Sequence, residues 1–94
     1  MNKVVKKQKK QTVESTNTQE SYCLILCNDE VNSFEHVIKS LIEVCSHDSI
    51  QAEQCAYIAH FRGECDVKTG TISFIENLKK EMHHRGISTI IEKM

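Results

Sequence analysis

The sequence predicts an α+β fold in which one three-stranded sheet packs with three helices. Three short runs have the apolar character or the alternation of strands, and three longer stretches place apolar residues at helical spacing. In chain order the segments read strand, helix, helix, strand, helix, strand. Because each helix has one apolar face, the helices are expected to cover the sheet. The chain has 94 residues, enough for one domain of this kind.

The first strand is expected at Tyr22–Cys27, an apolar run that stops at the polar turn Asn28-Asp29-Glu30. A run without alternation is typical of a strand covered on both faces or of the centre of a sheet. Helical spacing then extends from Phe34 to Cys45. Asn32 and Glu35 have the spacing of a capping box at the start of this helix.

A second helix is expected from about Ile50 to Phe61, and Gly63 is well placed to end it in a left-handed conformation. Its inner face consists of small residues, which allow a neighbour to approach closely: Ala52, Cys55, Ala56 and Ala59.

The remaining three segments complete the fold. Alternation over Glu64–Thr69 predicts a half-exposed strand. A third helix is expected to start at Gly70-Thr71 and to end at Gly86, and Ile87–Ile91 is expected to form the last strand. The buried stripe of the third helix is predicted to contain Ile75, Leu78 and Met82.

The N-terminal residues 1–20 have a different composition from the rest. They are rich in Lys, Gln, Thr and Ser and carry five lysines against two glutamates. Such a segment buries too little apolar surface to offset the entropy of ordering. We therefore expect a flexible basic tail at residues 1–20 and one folded domain at residues 21–94.

Composition excludes several classes of function. A net charge of −1 argues against a dedicated nucleic-acid binder. No apolar run approaches the roughly 18 residues of a membrane span, and the basic start lacks the apolar stretch of a signal peptide. The five cysteines are an odd number, which favours reduced thiols and a cytoplasmic location.

Catalytic and metal-binding signatures are weak. There is no Cys-x-x-Cys pair, and the adjacent side chains of His83 and His84 diverge on a helix. There is no glycine-rich phosphate loop and no local signature of a nucleophile paired with a base. We therefore predict no enzymatic activity, no metal and no cofactor, with a thiol or metal protein as a remote alternative.

The polar turn and one histidine are the candidate functional residues. Asn28, Asp29 and Glu30 crowd hydrogen-bond acceptors beside an apolar helix, an arrangement that holds a small cation next to an apolar hollow. A protein N-terminus presents that combination, although the same residues also simply favour a turn. His60 is open to three interpretations: a core-edge residue, a partner of the helix dipole, or a functional group.

The residues of these segments resemble the ClpS adaptor family. The resemblance is carried by Tyr22–Glu30, by Phe34–Ile38 and by Ala59-His60-Phe61-x-Gly63, and it covers residues 21–93. It implies an antiparallel sheet.

The resemblance also implies a function in the N-end rule of protein degradation. Members bind proteins whose first residue is Leu, Phe, Tyr or Trp. They deliver them to the N-terminal domain of a Clp AAA+ unfoldase, ClpA- or ClpC-like, for degradation by the ClpP peptidase. An alternative is a non-enzymatic regulator of a Clp unfoldase that does not read N-termini.

The resemblance further implies a binding site. The α-amino group of the substrate would be bound by Asn28, Asp29, Glu30 and His60. The first side chain would enter a hydrophobic pocket formed by Cys27, Val31, Asn32, Phe34, Ala59 and Ile87.

This chain departs from the family at several places, including Glu30 for the usual Asp and Asn32-Ser33 for the frequent Thr-Pro. Phe34 stands at the position of a gating Met, Ala59 replaces a larger aliphatic residue, and the unfoldase-docking charges are not recognisable in 71–76.

Overall fold

The apolar run at the start of the domain forms the middle strand of the sheet. A computed structural model describes residues 20–94. Its elements are β1 Tyr22–Cys27, α1 Phe34–Cys45, α2 Ser49–Arg62, β2 Glu64–Gly70, α3 Ile72–His84 and β3 Thr89–Lys93. The strand order is β2-β1-β3, and both pairings are antiparallel. The predicted fold class and element order are therefore confirmed. Apart from residue 20, the predicted tail lies outside the described residues.

Burial on both faces explains the composition of β1. Its four central residues, Cys23 to Leu26, are all buried, although their side chains alternate between the two faces of the sheet. Leu24 and Leu26 join the core together with the helices, where Leu41 and Ile75 are completely buried. A strand in this position needs apolar residues throughout, which is why its sequence shows no alternation.

The small residues of α2 face the core as predicted. Ala52, Cys55, Ala56 and Ala59 are all buried, and Ala52 has no exposed surface. The helix begins at the N-cap Asp48, whose carboxylate accepts from the Gln51 backbone N–H at 2.7 Å. It ends at Gly63, whose φ of 101° confirms the predicted left-handed cap.

Predicted boundaries are wrong by one or two residues at the start of α1, at the start of α3 and at both ends of the last strand. The N-cap of α1 is Ser33, whose hydroxyl accepts from the His36 backbone N–H, and not Asn32. Gly70, which was predicted to start the third helix, is the last residue of β2. The last strand covers Thr89–Lys93 rather than Ile87–Ile91. The backbone N–H of Ile87 bonds instead to the carbonyl of Met82, and its side chain is buried in the core, so it belongs to the turn after α3.

The loop of residues 28–33 is held in place by Asp29. One carboxylate oxygen, Oδ1, accepts from the backbone N–H groups of Val31 and Asn32, both at 2.9 Å, and Oδ2 accepts from the Asn32 side chain at 2.8 Å. The Asn32 amide also donates to the Gly86 carbonyl at 2.8 Å. Asn32 thus connects the loop to the end of α3, which explains why it does not cap α1.

We predict that Ala52→Leu destabilises the fold by about 1–3 kcal/mol, because extra methylene groups are forced into a filled core. Urea unfolding measures this change. The control is Gln54→Leu on the exposed face of the same helix, which should stay within about 0.5 kcal/mol of wild type. Equal effects of the two substitutions would contradict the close approach of α2 to its neighbours.

We also predict that Asp29→Asn destabilises the chain by about 1 kcal/mol at pH 7, because an amide cannot replace all the bonds of the carboxylate. The pKa of Asp29 is subject to opposing effects. Burial raises it, but hydrogen bonds from Asn32 and Val31 together bring it below its ordinary value. A lowered pKa means that the carboxylate stabilises the fold above the unfolded-state pKa of about 3.9.

The difference in unfolding free energy between Asp29→Asn and wild type should therefore shrink as the pH falls below that value. Urea titrations from pH 7 to pH 3 measure the trend. A difference that stays constant over this range would show that the carboxylate charge does not hold the loop. Glu30→Gln is the matched control at an exposed neighbouring position, and it should leave stability unchanged.

Candidate functional site

An apolar hollow lies where β1 ends. It is bounded by the 28–33 loop, the start of α1 and the last turns of α2. Its lining residues are Leu26, Cys27, Asn28, Asp29, Glu30, Asn32, Ser33, Phe34, Val37, Ala56, Ala59 and His60. Its volume is about 170 Å³. Pockets for drug-sized ligands measure about 300–1,000 Å³, and an apolar cavity of about 150 Å³ holds benzene. The hollow therefore accommodates one large side chain and is too small for a typical cofactor.

Two backbone hydrogen bonds bring the walls of the hollow together. The Asn28 N–H donates to the Gly63 carbonyl at 2.8 Å, which joins the end of β1 to the end of α2. The Cys27 N–H donates to the Ser88 carbonyl at 3.1 Å, which joins the same strand end to the segment before β3. As a result Asn28 and His60 line one hollow although they are far apart in the sequence.

The floor of the hollow is apolar and partly formed by small side chains. Leu26, Ala56 and Ala59 are buried at its base. On one side stands the ring of Phe34, whose centroid lies 5.0 Å from that of His60 in an edge-to-face arrangement. The two alanines leave open the space that larger residues would fill, so the shape of the hollow depends on α2.

The rim of the hollow carries hydrogen-bond acceptors. Asn28 and Glu30 are both exposed, and the Asn28 amide nitrogen donates to a Glu30 carboxylate oxygen at 3.5 Å. With its nitrogen turned to Glu30, Asn28 has its amide oxygen as an acceptor. In its neutral form His60 supplies one ring nitrogen as a further acceptor. The rim thus combines a carboxylate with neutral acceptors, the composition that a cationic group requires.

Asp29 differs from its neighbours because its bonds are internal to the loop. Three of them, from Val31 and Asn32, occupy its two oxygens. These bonds keep the pKa of Asp29 low despite burial, so the group stays ionised at neutral pH. Asp29 contributes negative charge to the hollow and positions Asn28 and Glu30 on either side of it.

The structure places eight of the ten sequence-predicted residues around this hollow and two elsewhere. Val31 projects outward and is 90% exposed, because the bonds to Asp29 turn the loop at that point. Ile87 is 2% exposed and packs in the core. Neither is a lining residue of the hollow. The binding roles of the eight remain predictions.

Four lining residues were missed: Leu26, Ser33, Val37 and Ala56. Helical spacing could have found two of them. Val37 lies three residues after Phe34, and Ala56 lies three before Ala59, so each shares a helix face with a predicted residue. Ser33 could not be found this way, because its position depends on the start of α1.

Three of the five thiols lie in surroundings that disfavour the nucleophilic thiolate. Burial, and then the charge of Glu64, raise the pKa of Cys27, the cysteine in the hollow. Burial raises the pKa of Cys45 to about 11. Burial, followed by a hydrogen bond with Cys65, raises the pKa of Cys55 as well. The nucleophilic form of a cysteine is the thiolate, and these three are protonated at neutral pH.

Residues 20–94 lack the features of two other classes of site. No group of three or more His, Cys, Asp or Glu side chains is arranged there to hold a metal ion. Within the same residues, no helix has the length and apolar character needed to cross a membrane.

Comparisons with known proteins agree with this fold. The structure of Agrobacterium tumefaciens ClpS2 bound to L-phenylalaninamide is similar, with a TM-score of 0.79 and 20% sequence identity. The match covers 82% of this chain and 100% of that one. No curated protein sequence matches. The model of the family described as ATP-dependent Clp protease adaptor protein ClpS matches residues 17–89. Because that match spans well over half of the sequence, this chain belongs to the ClpS family of Clp protease adaptors.

Proposed function

We propose that this chain is a non-enzymatic adaptor that binds proteins beginning with a bulky apolar residue. In this proposal it delivers them to a Clp AAA+ unfoldase, ClpA- or ClpC-like, which feeds the ClpP peptidase. The observation that carries the proposal is the hollow itself: an apolar floor sized for one side chain, with Asn28, Glu30 and His60 at its edge. A protein N-terminus carries an ammonium group and a side chain on the same Cα.

The rim supplies what an ammonium group needs. Three N–H donors meet the amide oxygen of Asn28, the carboxylate of Glu30 and, in the neutral ring, a nitrogen of His60. Hydrogen bonds from a charged donor are about twice as strong as neutral ones. The ionised Asp29 adds favourable charge nearby while its oxygens hold the loop.

The floor supplies the remaining affinity. Burying a Leu or Phe side chain contributes about 1.5–3 kcal/mol, which alone falls short of the roughly 4 kcal/mol that corresponds to millimolar binding. The ammonium bonds must therefore add to the apolar contact. This requirement gives specificity, because an internal Leu or Phe of a protein has no free ammonium group.

The ligand bound in the similar structure supports this class of ligand. Agrobacterium tumefaciens ClpS2 binds L-phenylalaninamide, an amino acid amide with a free amine and a bulky apolar side chain. Membership of the Clp protease adaptor family supports the unfoldase as partner.

We predict that Asn28→Ala weakens binding of a Leu-initiated peptide at least about tenfold, the loss expected for one hydrogen bond to a charged group. Fluorescence anisotropy with a labelled peptide measures this. The matched control is Asn77→Ala, an exposed asparagine on α3, which should bind like wild type.

Two results of that experiment would contradict the proposal. The first is the absence of binding by the wild type, and the second is equal binding by Asn28→Ala. Either result, with retained binding of the chain to an unfoldase, would favour a regulator that does not read N-termini.

We predict that Ala59→Val narrows the hollow and reduces affinity for a Phe-initiated peptide more than for a Leu-initiated one. Ala59 is 3% exposed at the base of the hollow, so added methyl groups occupy ligand space. Competition titrations with both peptides measure the ratio of affinities. Ile50→Val, an exposed aliphatic position on the same helix, should keep the wild-type ratio. An unchanged ratio in Ala59→Val would show that first side chains do not reach this floor.

A further inference from the structure

Aromatic side chains continue from the hollow onto the outer surface of α2. We call Phe34, Tyr57 and Phe61 the aromatic strip, and these are three of the five Phe and Tyr residues in the chain. Tyr57 is 47% exposed and Phe61 76% exposed. The two lie four residues apart on one helix face, and their rings are nearly parallel, with an interplanar angle of 15° and centroids 6.3 Å apart. Large aromatic rings exposed side by side commonly mark a binding surface.

The strip is continuous with the hollow. Phe34 lines the hollow, and its ring centroid lies 4.9 Å from that of Tyr57. His60, another lining residue, lies edge-on to Phe61 with centroids 4.8 Å apart. Each ring of the outer surface therefore touches a residue of the hollow wall.

The geometry of a bound peptide connects the two surfaces. When the first side chain occupies the hollow and the α-amino group lies at its rim, the second Cα follows about 3.8 Å further along the chain. The spacings from Phe34 to Tyr57 and from His60 to Phe61 are only slightly larger than one such step. A second side chain that leans toward α2 therefore meets the strip.

We propose that the aromatic strip is a subsite for the second residue of the bound N-terminus and favours a large apolar or aromatic side chain there. The inference rests on the proposed function, since it needs the first residue to occupy the hollow. An aromatic second residue packs on Tyr57 and Phe61 in offset or edge-to-face geometry, whereas alanine leaves both rings in water.

The test compares two peptides that begin Leu-Phe and Leu-Ala and are otherwise identical. We expect the Leu-Phe peptide to bind wild type about three- to tenfold more tightly, the range that aromatic pairs contribute. In Phe61→Ala the ratio of the Leu-Phe affinity to the Leu-Ala affinity should fall below about twofold. That variant should remain folded, because Phe61 is largely exposed. Tyr57→Ala tests the second ring in the same way.

The control is Ile50→Ala, which removes an exposed apolar side chain roughly 16 Å from Phe61 along the axis of the same helix. It should keep the wild-type ratio. A wild-type ratio of one, or a ratio unchanged in both Phe61→Ala and Tyr57→Ala, overturns the subsite. The strip would then be a contact surface for another protein.

The same data separate this inference from the proposed function. If the Leu-Ala peptide binds wild type and is lost in Asn28→Ala while the ratio is one, only the subsite is overturned. If neither peptide binds wild type, both proposals fall together.

Discussion

The site depends on the backbone hydrogen bond from the Asn28 N–H to the Gly63 carbonyl. This bond ties the polar end of β1 to the last turn of α2. It places His60, three residues before Gly63, opposite the loop that carries Asn28 and Glu30. The bond needs the chain to reverse at Gly63, whose φ of 101° lies in a region that residues with a Cβ rarely adopt. A glycine at this position therefore permits the turn from which its carbonyl accepts this bond.

The charge and the apolar floor of the hollow act together. Asp29 holds the loop through bonds to Val31 and Asn32, and Asn32 in turn holds the end of α3. The loop is thus fixed before any ligand arrives, and a preorganised rim loses little freedom on binding. A small domain needs no large cleft for this task. It needs one side-chain-sized hollow and a few acceptors at fixed positions.

Local patterns in the sequence were sufficient to predict most of the fold. The unbroken apolar run of β1, the small residues of α2 and the glycine after α2 each carry a signal within a few residues, and the structure confirms all three. One misprediction arises from a long-range contact and another from a local turn. Asn32 fails to cap α1 because its side chain bonds to Gly86, 54 positions away. Ile87 is a core residue rather than a strand residue because its N–H bonds back to Met82.

The candidate site could likewise be predicted from the sequence only in part. Asn28, Asp29 and Glu30 are recognisable as a polar turn, but their proximity to His60 is a property of the folded chain, and the sequence suggested it only through a family resemblance. The hollow could not be sized from the sequence, because its volume depends on how closely α2 approaches β1. The aromatic strip likewise required the structure, since Phe34 and Tyr57 meet only when α1 packs beside α2.

In the proposed function, the hollow binds a free α-amino group together with the side chain beside it. The most direct measurement is calorimetric titration of the purified chain with L-phenylalaninamide and with N-acetyl-L-phenylalaninamide. The two ligands share the side chain and differ in the charged amine. We expect saturable binding of the free amine and affinity at least about tenfold weaker for the acetylated form. Equal affinity for the two ligands, or no binding of the free amine, would contradict it.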